Sequence, residues 1–91
     1  MPSYLVEAYV AGSLEAVEAA RGRALLAGEL GEAEGVRYVR TTFLPGDETV
    51  LHLFEAPSAG ALDDAGRRAA LPFERIVEAV EGSAEPRKEE A

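Results

Sequence analysis

Glu7 interrupts the apolar run YLVEAYV, and the single histidine of the chain, His52, stands between Leu51 and Leu53 in TVLHLFE. A carboxylate inside an apolar strand costs on the order of several kcal/mol unless a partner compensates it. Glu7 is therefore the residue whose type fits its neighbours least. An imidazole near neutral pH can serve as base, acid or metal ligand, and a guanidinium such as Arg40 can hold a developing oxyanion. Glu7, His52 and Arg40 thus form a candidate catalytic set for proton transfer without a cofactor. His52 is the base, Glu7 its orienting or acid partner, and Arg40 the group that stabilises a carboxylate or enolate oxygen. Glu78, in ERIVEAV, supplies a second carboxylate, and two carboxylates in one dry pocket hold a proton tightly between them. Tyr9, Tyr38 and Phe54 are candidate lining residues for a ligand. No cysteine is present, so a thiolate nucleophile, a disulfide or a thiolate metal site is excluded. Gly12, Gly31 and Gly35 have no phosphate-cradling spacing, and neither a P-loop nor a dinucleotide fingerprint occurs.

The 91 residues, 47% hydrophobic and 29% charged, suffice for one small domain with a thin core. Seventeen acidic residues against nine basic ones give a net charge of −8, which argues against nucleic acid as a partner. No apolar run approaches the roughly 18 residues of a membrane helix. The segment MPSYLVEAYV lacks the basic region and cleavage site of a signal peptide, so a cytoplasmic protein without a membrane partner is expected. Residues 82–91, GSAEPRKEEA, contain the only lysine and no large apolar side chain, and are expected to form a disordered charged tail after a domain at 1–81.

Six segments must position the candidate residues. Tyr4 to Val10 reads as a strand. Ser13 is placed to cap a helix with Leu14, Val17, Arg21, Ala24, Leu25 and Gly28 on its inner side. Val36 to Leu44 and Thr49 to Ala56 read as two strands joined at Pro45-Gly46-Asp47. Pro57-Ser58 opens a second helix whose Leu62, Ala65 and Ala69 face the core, with Asp63–Arg67 and Asp64–Arg68 paired on its outside. Pro72 ends it, and Phe73 to Val80 is the last strand. The order β-α-β-β-α-β with right-handed crossovers predicts an α+β, ferredoxin-like fold. That fold has a four-stranded antiparallel sheet, both helices on one face, the first and third strands central and the fourth beside the first.

Side chains alternate between the two faces of a strand. Val6 and Ala8 suit the helices, which leaves Leu5, Glu7 and Tyr9 on the other face. Leu51 and Leu53 inward would put Val50, His52 and Phe54 outward. Tyr38, Arg40 and Thr42 outward, with Ile76, Glu78 and Val80, complete a face half apolar and half ionisable. So much exposed apolar surface predicts a homodimer packed face to face, as a dimeric α/β barrel, with the ionisable residues in an enclosed cavity.

The stretches YLVE, FLPGDET, HLFEAPS and RRAALPFERIVEAV resemble a bacterial family of small ferredoxin-like proteins, mostly of unknown function, whose best-known member is a nickel-binding protein. The resemblance spans Tyr4 to Val80 and implies a dimeric α/β barrel with a metal or small ligand in the dimer cavity. The acidic residues of that family's first and last strands match Glu7 and Glu78. Where members often carry histidines in the second strand and the second helix, this chain has Arg40 and Ala65. A third-strand position often held by cysteine is His52 here.

Three functions compete at this point. The first is a small-molecule-binding domain or a cofactor-independent enzyme for proton transfer, isomerisation or cyclisation, using the cavity of a homodimer. The second is a nickel or other divalent-metal binder with Glu7, His52 and Glu78 as ligands. The third is a non-catalytic accessory or interaction protein in which the ionisable residues fix the dimer register. The identity of any cofactor or metal is left open.

Overall fold

A computed structural model describes residues 1–80; the expected tail, 82–91, lies outside the described residues. The elements follow in the expected order: β1 Ser3–Tyr9, α1 Leu14–Leu30, β2 Arg37–Leu44, β3 Thr49–Glu55, α2 Ala59–Arg68 and β4 Arg75–Ala79, with short 3-10 turns at Glu32–Glu34 and Pro45–Asp47. The four strands are antiparallel in the order β2-β3-β1-β4, so β1 and β3 are central and β4 lies beside β1, as the fold class requires.

Both helices begin at a serine. Ser13 Oγ accepts from Ala16 N at 3.1 Å and Ser58 Oγ from Ala61 N at 3.1 Å, satisfying one of the orphan donors at each helix start. The chain leaves α2 through Ala70, which takes a left-handed φ of 55° so that Leu71 N can donate to Gly66 O at 2.9 Å. A Schellman-type turn of this kind usually employs glycine. The helix therefore stops before Pro72 is reached.

The core lies between the sheet and the two helices. Tyr4, Val6 and Phe54 from the central strands meet Ala24 and Ala27 of α1 and Leu62 and Ala65 of α2, and a second cluster gathers Ala8, Val10 and Val50. The α2 face is the expected one, and Asp63–Arg67 and Asp64–Arg68 pair at 2.9 and 3.1 Å. The α1 face is rotated from expectation: Leu14 and Leu25 are 79% and 44% exposed, while Val17, Ala20, Ala24 and Ala27 turn inward. Alanines and glycines on that side let the backbones approach. A Cβ on Gly31 would stand 2.8 Å from those of Ala65 and Val36, and one on Gly28 2.9 Å from that of Tyr38. Close approach, not side-chain bulk, selects the inner face of α1.

Candidate functional site

Register assigns each candidate residue to a face. In β1 the expected alternation holds: Tyr4, Val6 and Ala8 are buried, with Leu5 and Glu7 on the face no helix covers. In β3 it is reversed. His52 pairs with Val6, Phe54 with Tyr4 and Val50 with Ala8, so Val50, His52 and Phe54 lie under the helices and Leu51 and Leu53 lie opposite. In β4, Ile76 pairs with Val6 and packs on the core, whereas Val77 pairs with Leu5. Glu78 follows the phase of Ile76, opposite Tyr4, and is exposed on the edge strand. In β2 one extra residue enters between Tyr38 and Arg40. This bulge turns Tyr38 towards the helices while Arg40 and Thr42 keep their outward positions opposite Leu53 and Leu51.

The expected cluster is therefore divided by the sheet. His52, Tyr38 and Phe54, placed outward by the sequence, belong to the helix-covered side. Glu7 and Arg40 occupy the uncovered side. Glu78 is on the opposite face from Glu7, so the two carboxylates share no pocket. Tyr9 sits at the end of β1, 60% exposed, where its hydroxyl donates to Glu48 Oε1 at 2.9 Å and its backbone N–H donates to Glu74 Oε1 at 2.7 Å. The hydrogen bond to the Glu48 carboxylate, reinforced by its charge, raises the phenol above its ordinary pKa, so Tyr9 keeps its proton.

On the helix-covered side a hydrogen-bonded chain crosses β2 and β3. The Tyr38 hydroxyl and Thr41 Oγ1 are 2.7 Å apart, and Thr41 Oγ1 and His52 Nδ1 are 2.8 Å apart. His52 is wholly buried and its Nε2 meets no partner among the described residues. Desolvation pushes the imidazole down to about 4, so it is neutral at pH 7. Phe54, also wholly buried, packs edge-on against Tyr38 with ring centroids 5.5 Å apart. The bulge makes this chain possible, because it brings Tyr38 and Thr41, three residues apart, to the same side.

On the uncovered side Glu7 and Arg75 face each other across β1 and β4. Arg75 Nε donates to Glu7 Oε1 at 2.8 Å and Nη2 to Oε2 at 3.3 Å, a forked pair. Leu5, Leu51, Leu53 and Val77 surround it on the same face. The register makes Arg75, at the start of β4, the residue directly opposite Glu7.

Glu7, His52 and Glu78 do not fit a metal ion: they lie on two faces of the sheet and the imidazole is enclosed in the core. No group of three or more His, Asp or Glu side chains able to hold a metal occurs among the described residues. No helix of the described residues is long and apolar enough to cross a membrane.

Sheet order, helix placement and crossovers define a ferredoxin-like α+β domain. The crystal structure of SCO4226 from Streptomyces coelicolor A3(2) has this fold at a TM-score of 0.68 and 19% sequence identity, over 89% of this chain and 99% of that one. At that identity the likeness concerns the fold. No protein-family model and no curated protein matches the sequence.

Proposed function

We propose that the chain is a small-molecule-binding domain that works as a homodimer joined through the uncovered face of its sheet. The observation that carries this reading is the Glu7–Arg75 pair set among Leu5, Leu51, Leu53 and Val77 on a face that no helix covers. Covering that face would exclude water from the apolar residues and strengthen the ionic contacts enclosed with them. Two of the five guanidinium donors of Arg75 are spent on Glu7, and the rest, with Thr42 on the same side, suit a ligand bearing a carboxylate or enolate oxygen. A base role for His52 has no place in this reading, because its imidazole lies beneath the helices. The metal reading loses its ligand set for the same reason.

The accessory-protein reading draws on the same pair, since both Glu7 oxygens are already engaged and could serve only to fix how two copies meet. Native mass spectrometry of the untagged full chain, purified without chelator, separates these possibilities. A mass twice the 9.6 kDa of one chain with a retained organic molecule is the expected result. A bare dimer that screens blank against carboxylates supports the accessory role, and a monomer at micromolar concentration overturns the dimeric site. Leu51→Glu places a charge on the uncovered face and is expected to yield a folded monomer.

A further inference from the structure

A cleft of about 420 Å³ opens between the C-terminal end of α1 and the start of β2, on the other side of the sheet from Glu7 and independent of any second copy. The volume is in the range of small-molecule sites. Leu25, Gly28, Val36 and Tyr38 contribute its apolar lining. The Tyr38 hydroxyl is committed to Thr41, so a molecule in the cleft meets the tyrosine ring and not its polar tip.

Met1, with the amino terminus, also lines the cleft, and the side-chain charges around it lean negative. Arg37 and Glu55 at its edge neutralise each other at 3.0 Å. Glu34, close by in sequence, is paired with Arg68 at 3.0 Å. The carboxylates of Glu29 and Glu32, which line the cleft, have no ion pair or hydrogen bond among the described residues. They also stand where the α1 macrodipole is negative, and the last turn of α1 holds no basic residue. Acidic side chains at a helix C-terminus run against the favourable arrangement, and a departure from a local rule that the described residues do not compensate is one expected of a functional site.

We propose that this cleft binds a small organic cation, its ammonium group between Glu29 and Glu32 at the mouth and its apolar body against Leu25, Val36 and the Tyr38 ring. A hydrated metal ion would gain nothing from the apolar lining, and an anion would meet two unpaired carboxylates and the negative end of a helix.

The test is a titration of the isotope-labelled full chain with 2-phenylethylammonium chloride, followed by amide chemical shifts, beside the neutral 2-phenylethanol. Saturable shifts confined to residues 25–38 and 55 are expected. The cation should bind at least roughly threefold more tightly than the alcohol, as expected for contacts with exposed charges. Glu29→Gln with Glu32→Gln, both on exposed positions, should bring the cation to the affinity of the alcohol and leave that of the alcohol unchanged. Shifts that fail to saturate or that map elsewhere, equal affinity for both probes, or a double variant that binds the cation as the wild type does would each overturn the assignment.

Discussion

On the helix-covered face of the sheet the polar residue in an apolar strand is His52; on the uncovered face it is Glu7. The two stand one position out of line, Val6 opposite His52 and Glu7 opposite Leu51, yet they are accommodated in contrary ways. His52 is enclosed, neutral and tied through Thr41 to Tyr38. Glu7 keeps a quarter of its side chain accessible and pairs with the arginine across from it. A packed interior tolerates a polar group that can shed its charge and find a neutral partner, whereas a face with water at hand can retain an ion pair. Of these two strand residues, Glu7 therefore keeps a reachable charge, while His52 serves the packing of the interior.

Breaking the enclosed side should have the largest effect. His52→Ala removes one of the largest fully buried side chains and leaves a cavity beside Thr41, and is expected to cost about 3 kcal/mol in a urea unfolding titration. His52→Leu, which fills the space and removes the unpartnered Nε2, is expected to remain within about 1 kcal/mol of the wild type at pH 7.

Acid should act through the same residue. The unfolded chain takes up a proton on His52 near pH 6.5, whereas the folded chain resists it until about pH 4. The contribution is whole above pH 6.5, declines as pH falls between those values, and is fully lost below pH 4, by about 3 kcal/mol in total. Unfolding midpoints measured from pH 7.5 to 4 should show this fall in the wild type and its removal in His52→Leu. An equal fall in both proteins would assign the acid sensitivity to the carboxylates instead.

The exposed side should yield the least. Glu7→Gln breaks a pair whose arginine is 66% exposed and is expected to cost about 0.5 kcal/mol in the folded chain. A loss of several kcal/mol would mean that the uncovered face is as dry as the core, and would erase the contrast with His52.

The element order, both caps and the face of α2 could be read from the sequence, because each rests on a local signal: Ser13 and Ser58 before apolar periodicity, Pro45-Gly46 between strands, and Leu62, Ala65 and Ala69 on one side. The sheet order followed from that element order and the right-handed crossover rule. The phase of β1 was legible because Glu7 marks one side of it. In β3 the run VLHLF is apolar at both parities, so polarity alone assigned His52 to the outside, and only the pairing with β1 reverses it. The run IVEAV in β4 is equally indifferent. In β2 no residue of RYVRTTF announces an extra position, and the bulge carries Tyr38 to the other face. Local patterns reveal elements; the facing of a strand is a tertiary property wherever both sides are apolar.

That bulge also bears on how the protein avoids unwanted company. β2 is one border of the sheet and carries the irregularity beside Arg40, while the other border, β4, is only five residues long. A straight, regular border would offer a template on which further chains could add strand by strand into a fibre; an interrupted one and a short one do not. Among the described residues, neither border of the sheet invites a further strand, so the sheet is not readily lengthened sideways.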